Sequence, residues 1–384
     1  MKNNITVLSQ LLYHVDRDFF QSVVRKYQGD KYVRKLNSWT HFVVLFFAQL
    51  TGQQSIRDLV TALKSKMNRL YHAGIREVKR STFSDANRDR THEIFQEVFY
   101  HLVQKTQHIS TKKRFRFKNK VKVLDSTTIS LCLSLFPWAK FRQSKGAIKL
   151  HCEYELEKQI PTFLTITDGK SSDIRVARKM SFEKGTILVI DRGYVDYSWL
   201  NLLNLQGVFF VTRLKGNVKY RVIQRLPKKK KTGITADQII RLIGQKANCI
   251  PIELRRIRYK NPEDGNVYEF LTNIFNLAAT TITLIYKARW DIELFFKWVK
   301  QNLKIKTFLG TNENAVMSQI WAALSLYLII AYVKYLCKVS WTMHKIFVSL
   351  KFNALDTVDI NQLIRDTYEK VNETNTTQLK LGFT

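Results

Sequence analysis

Along residues 1–110 the apolar positions recur at helical spacing, so this stretch is predicted to be helical throughout. Ser38 is placed to cap a helix running through WTHFVVLFFAQL. Thr51-Gly52-Gln53-Gln54 ends that helix, and Ser55 is placed to cap the next, IRDLVTALKSK. Helix, short turn with glycine and second helix is the outline of a helix-turn-helix, and many helical bundles share it. A further helix is predicted from Ser81 or Ser84 to about Lys105, with Phe95, Val98, Phe99 and Leu102 as its apolar stripe. Its first part, STFSDANRDR, gathers Ser, Asn and Arg side chains suited to phosphates and base edges, or equally to a capped surface helix.

From Val121 the pattern changes to short β runs. VKVLD, IKLHCEY and PTFLTIT are followed by a helical segment near 174–181, the strand TILVID, a helix near 196–204 and the strand GVFFVTR. Three strands, a helix, a strand, a helix and a strand match the start of a ribonuclease H-like mixed sheet. Residues 214–275 differ in character. Pro227 precedes the run Lys228–Lys231, and IELRRIRY and VYEFLTNI flank an Asp-Gly turn, the sign of a hairpin. After Thr281 one helix is predicted through about Leu303, then an apolar core helix over the uncharged run Ile320–Val333. That run is shorter than the roughly 18–20 residues a membrane-spanning helix needs.

The expected chain is therefore α/β. An all-α N-terminal domain (1–110) and a basic linker (111–120) precede a ribonuclease H-like mixed-sheet domain (121–340) with a β-rich insertion at about 214–275. A polar C-terminal tail (341–384) follows, expected to be mobile and dispensable.

Charge narrows the partner class. The 384 residues carry 63 Lys+Arg against 31 Asp+Glu, a formal net charge of +32, and such a field attracts polyanions. The basic segment from Thr111 to Lys122 interleaves two phenylalanines, a composition suited to backbone neutralisation and stacking on DNA as well as to a solvated linker. The four cysteines (Cys132, Cys152, Cys249, Cys337) are scattered, which argues against a zinc module or a disulfide scaffold and fits a reducing compartment. With His14, Asp16 and Asp18 interrupting the N-terminal apolar residues, no signal peptide is expected, and the chain is expected to be soluble and intracellular.

Asp125 ends the strand VKVLD and Asp191 ends TILVID, so two carboxylates are expected at neighbouring strand ends, where metal and phosphate sites form. On the helix TLIYKARWDIELFFKWVKQNLK, Tyr286, Arg289, Glu293, Lys297 and Lys300 fall on one narrow stripe, with Ala288, Ile292, Phe295, Phe296, Val299 and Leu303 opposite. The stripe fits a solvated face laced by i,i+4 pairs, each contributing about 0.3–0.5 kcal/mol, and it also fits a carboxylate set among phosphate ligands. Three carboxylates can hold two Mg²⁺ ions roughly 3.5–4 Å apart over a scissile phosphate.

Tyr286, Arg289, Glu293 and Lys300 fit the pattern Y-x2-R-x3-E-x6-K, and VLDSTTISL and VIDRGYVD precede it in order. In these motifs, and in the long gap between the second and third acids, the chain resembles transposases of the insertion sequence 4 family. The N-terminal LSQLLYHVDRDFF and STFSDANRDR resemble the helical domain of one branch of that family. The resemblance implies a DDE transposase with a ribonuclease H-like core, in which Asp125, Asp191 and Glu293 are the catalytic metal ligands. It implies two Mg²⁺ ions, with Mn²⁺ able to substitute, and phosphodiester hydrolysis followed by transesterification. Tyr286, Arg289 and Lys300 would contact phosphates at the transposon end, with Lys297 beside them, and Tyr268 on the insertion would stack on a flipped base where a hairpin forms. The implied partners are double-stranded DNA (terminal inverted repeats and target) and a second copy of the chain in a homodimer, with no membrane. The implied location is the bacterial cytoplasm, at the nucleoid when DNA-bound. A catalytically inactive DNA-binding repressor derived from a transposase is the alternative, and a tyrosine recombinase using Tyr286 is disfavoured for want of a His–Arg partner set.

Overall fold

The computed structural model describes residues 5–109, 114–142, 145–216, 218–227, 232–303 and 307–368. The Lys228–Lys231 run and residues 111–113 of the basic linker lie outside the described residues. The chain divides into two compact units. One comprises Met1–Ile109, Ser130–Gly146 and Lys297–Thr384, and the other Ser110–Ile129 and Ala147–Phe296.

Ten strands form one mixed sheet among the described residues: β1 Val121–Leu131, β2 Lys140–Arg142, β3 Lys145–Glu155, β4 Ile160–Asp168, β5 Ile187–Ile190, β6 Phe209–Arg213, β7 Tyr220–Arg225, β8 Ile234–Leu242, β9 Leu254–Lys260 and β10 Val267–Thr272. Their order is β2-β3-β1-β5-β6-β10-β9-β8-β7, with β4 pairing β3. β1, β5 and β6 run parallel. Ile187–Ile190 is buried at all four positions, as a short strand covered on both faces requires. The first strands and their connections make the ribonuclease H-like arrangement expected from the sequence. The expected hairpin is present between β9 and β10, and Gly265 takes a φ of 69° in its turn. It is not a separate module, because β10 pairs antiparallel with β6 and carries the main sheet on through β9, β8 and β7.

The helices in chain order are α1 Val7–Leu12, α2 Arg17–Lys26, α3 Ser38–Thr51, α4 Ile56–Ser65, α5 Met67–Leu70, α6 Arg80–Asp89, α7 Glu93–Thr106, α8 Asp173–Ala177, α9 Tyr197–Leu205, α10 Gln245–Cys249, α11 Ala279–Lys287, α12 Trp290–Asn302, α13 Glu313–Cys337 and α14 Met343–Phe352. In the helical unit α13 packs on α7 and α3, with Trp321 ringed by Phe99 and Tyr100. At 25 residues α13 is longer than the apolar run that announced it, because Asn312 caps it about two turns before Ile320 and it runs on past Val333 to Cys337. By length and mean hydropathy (1.8) it could cross a membrane, yet 89% of its apolar window is buried inside the protein.

Several local expectations need correction. Asn37, not Ser38, caps α3, accepting from the Thr40 N–H at 2.8 Å, while Ser55 does cap α4. The helix expected from Ser81 to Lys105 breaks at Arg90, whose extended backbone separates α6 from α7. Residues 341–368 are not a polar tail. α14 buries Ile346, Phe347 and Leu350, residues 360–368 are helical, and Ile360 and Ile364 are buried too. The Ala354 and Asp356 carbonyls accept from the Leu8 and Val7 N–H groups at 2.8 and 3.0 Å, satisfying donors that the first turn of α1 leaves open.

Candidate active site

Parallel pairing sets the first two acids level with each other. Leu124 of β1 is in register with Ile190, the last residue of β5, and Asp125 and Asp191 each follow next in the chain. Only Asp191 lies at a strand end as expected, because β1 runs on through Asp125 to Leu131. After Asp191 the chain turns at once into the short helical turn Arg192–Tyr194, so its carboxylate stands at the strand mouth.

The third acid arrives with α12. The helix predicted as continuous from 281 to 303 is broken, with α11 ending at Lys287 and α12 starting at Trp290. Arg289 sits in the break. Its Nη1 donates to Asp125 Oδ2 at 2.9 Å and its Nη2 donates to Glu293 Oε1, so one guanidinium joins two of the three acids. The Tyr286 hydroxyl donates to Asp191 Oδ1 at 3.4 Å. Burial pushes the Asp125 carboxyl up to about 6. The Ser126 N–H and Arg289 work against that shift, and the negative charges of Asp191 and Glu293 add to it. Burial also raises the Tyr286 phenol to about 12, which keeps it a hydrogen-bond donor at neutral pH. Buried Arg289 Nε has no partner among the described residues.

The donors suit a hard divalent cation in kind, since all three are carboxylates. The negative charge that Asp191 and Glu293 add around buried Asp125 is what such an ion would relieve. The acids do not form a closed cage, for no group of three or more His, Cys, Asp or Glu converges to hold a metal among the described residues. The cation bridging Asp125 and Glu293 here is Arg289 itself.

Of the other predicted contacts, Lys297 and Lys300 lie further along α12, the first exposed and the second half-buried. Tyr268 is half-buried on β10, stacked parallel to Phe270 and covered by the Arg213 guanidinium at 5.2 Å. Phe270 in turn meets Tyr286, their ring centroids 4.9 Å apart. On the apolar side Ala288, Ile292, Phe295, Phe296, Val299 and Leu303 are all buried, as the helical pattern requires.

A polar cluster beside Asp125 was not anticipated. Asp173 Oδ1 accepts from Ser126 Oγ at 2.6 Å, pairs with Lys149 Nζ at 3.1 Å and lies 3.5 Å from His151 Nδ1. The adjacent Ser126 N–H donates to Asp125 Oδ1 at 2.8 Å, so the cluster abuts the site through one residue. Its signal in the sequence was the alternation of β3, which puts Lys149 and His151 on one face.

Comparison with known proteins matches residues 116–329 to the family described as Transposase DDE domain, and residues 3–76 to "Domain of unknown function (DUF4372)". The chain is 35% identical over 248 residues to the "Putative transposase y4zB" of Sinorhizobium fredii, covering 64% of this chain and 68% of that one. It is 28% identical to the "Probable transposase for insertion sequence element IS5377" of Geobacillus stearothermophilus, over 65% of this chain and 66% of that one. It is 23% identical to "Transposase InsG for insertion sequence element IS4" of Escherichia coli, over 48% and 43%. Among solved structures, a piggyBac transposase synaptic complex with hairpin DNA covers 96% of this chain and 83% of its own at 10% identity. The TM-score of that match is 0.47. The family match over more than half of the chain, together with these relatives, makes this protein a member of the DDE transposases, in the insertion sequence 4 family.

Proposed function

We propose that this chain is the transposase of an insertion sequence, binding the element's terminal inverted repeats and catalysing strand cleavage and strand transfer. One observation carries the reading. Two aspartates each follow a residue of a register pair on adjacent parallel strands, and Arg289 joins the first of them to the glutamate of a separate helix. Asp125, Asp191 and Glu293 are the residues to hold two divalent ions, Mg²⁺ or Mn²⁺. Such ions, when bound, activate an attacking water or 3′-hydroxyl and stabilise the departing oxygen.

The chain's own groups supply the rest. Arg289, once its carboxylates are engaged elsewhere, is free to clamp the non-bridging oxygens of the scissile phosphate. Tyr286 donates a hydrogen bond, Lys300 and Lys297 neutralise neighbouring phosphates, and Tyr268 offers its ring to a flipped base. Residues 1–110 grip the element ends, and the chain works as a homodimer on double-stranded end and target DNA. The setting is the bacterial cytoplasm, at the nucleoid.

A cleavage assay on terminal-repeat DNA with Mg²⁺ tests the reading. Glu293→Gln is expected to bind the ends while losing at least about two orders of magnitude in cleavage, the scale on which a single electrostatic catalytic group acts. Normal cleavage by that variant overturns the assignment. End binding by the parent chain without strand breaks under any divalent ion would instead make it a repressor.

A further inference from the structure

In the helical unit, the loop between α2 and α3 is held in an unusual way. Gln28 and Tyr32 both adopt left-handed backbone, with φ of 52° and 60°, and neither is glycine. Such residues persist only where the surroundings over-determine them. Here the pinning is visible. The buried Arg90 guanidinium donates from Nε to the Gly29 carbonyl at 3.2 Å and from Nη2 to the Leu36 carbonyl at 2.7 Å, clamping both ends of the loop. Asp30 Oδ1 accepts from the Ser38 N–H at 2.6 Å and from Ser38 Oγ at 2.8 Å. Gly29 leaves no room for a side chain, since a Cβ there would stand 2.4 Å from Ile94 Cδ1.

This scaffold displays Lys31-Tyr32-Val33-Arg34-Lys35, every residue of it exposed and Tyr32 at 91%. Lys31 Nζ lies 5.3 Å from the Tyr32 ring. Lys31, Arg34 and Lys35 have no ion-pair partner among the described residues. The loop's one acid, Asp30, is spent inward on Ser38. Behind the loop lies a cavity of about 600 Å³, walled by α6. Its acids Asp85 and Asp89 are both paired with Arg88. Arg90 lines it too, and its buried Nη1 has no hydrogen-bond partner among the described residues.

We infer that the loop 31–35 is a DNA-backbone contact, separate from the residues around Asp125. Three uncompensated cations on a pinned support, beside an exposed ring, complement a phosphate backbone. The ring packs on a sugar or base face and the cations neutralise phosphates. The contact rests on the reading of the chain as a DNA-binding transposase, and its mode is insensitive to sequence.

Full-length chain titrated by fluorescence anisotropy against a duplex carrying the element's inverted repeat, and against an unrelated duplex of equal length, tests it. The triple variant Lys31→Ala/Arg34→Ala/Lys35→Ala is expected to bind both duplexes at least about tenfold more weakly. Its log–log salt slope should shrink by about 2.7, at roughly 0.9 per phosphate contact. Tyr32→Asn, which tolerates the left-handed backbone, should weaken binding and leave the slope unchanged. If the parent chain binds duplex and the triple variant matches it in affinity and slope, the loop assignment falls while the transposase reading stands. A variant altered only in self-association would make the loop a protein interface and likewise overturn the assignment. Failure of the parent chain to bind any duplex overturns both.

Discussion

His41 in the helical unit and His151 in the sheet unit are held neutral by burial, their pKa values pressed down to about 3 and about 4. In the unfolded chain each would titrate near 6.5, so acidification protonates the unfolded state first. The stability tied to neutral imidazole is complete above pH 6.5 and is lost as pH falls toward those depressed values. Each histidine costs about 1.4 kcal/mol per pH unit in that window. Thermal melts at pH 7 and pH 5 should show a clear fall in Tm at the lower pH, and equal Tm values would refute the neutral assignment. At this scale the sequence was informative about acids and silent about their partners. Asp125 and Asp191 stood out because each closes an apolar run. That Arg289 would face two carboxylates, or that Ser126 would tie Asp125 to Asp173, depends on contacts between residues far apart in the chain, which periodicity does not encode.

Among the elements, the short parallel strands were legible because a strand buried on both faces reads as an unbroken apolar run. The breaks at Arg90 and at Ala288–Arg289 were not, since neither carries the Gly or Pro that normally marks a helix end. The β7–β10 region shows what such local reading misses. Arg255 on β9 pairs with Asp237 on β8 through two bonds of 2.8 and 2.7 Å, both side chains being buried. Its Nη1 also donates to the Leu277 carbonyl at 2.6 Å, just ahead of α11. Strand pairing and the start of the helix bearing Tyr286 are thereby braced by one guanidinium. Asp237→Ala leaves that charge buried and unpaired, and should lower stability by about 3–5 kcal/mol in denaturant unfolding. A loss under about 1 kcal/mol would show that the brace is dispensable.

For the whole molecule, the helical unit is assembled from three separated stretches of chain, not from a contiguous N-terminal domain. The sequence pattern could not reveal this, because the charged and polar residues after Trp341 mask the buried Ile346, Phe347, Leu350, Ile360 and Ile364. Each such side chain contributes about 1.5–3 kcal/mol on burial, and together they match the roughly 5–15 kcal/mol that holds a typical domain. A chain ended after residue 340 should therefore leave residues 5–109 open to limited proteolysis, whereas the intact protein resists it. Protection of the shortened chain would restore the view of a dispensable tail.

α13 also bears on how the protein is made. Its 25 residues would satisfy the translocation machinery as a spanning segment if they emerged from the ribosome uncovered. They emerge after α3, α6 and α7 have been synthesised, with only α14 of their main partners to follow, so most of the cover is waiting when the greasy rod appears. Residues 307–340 fused alone to a reporter should pellet with lipid vesicles, and restoring residues 5–109 ahead of them in the full chain should abolish that partitioning. Birth order along the polypeptide thus puts covering helices in place before the most apolar one appears.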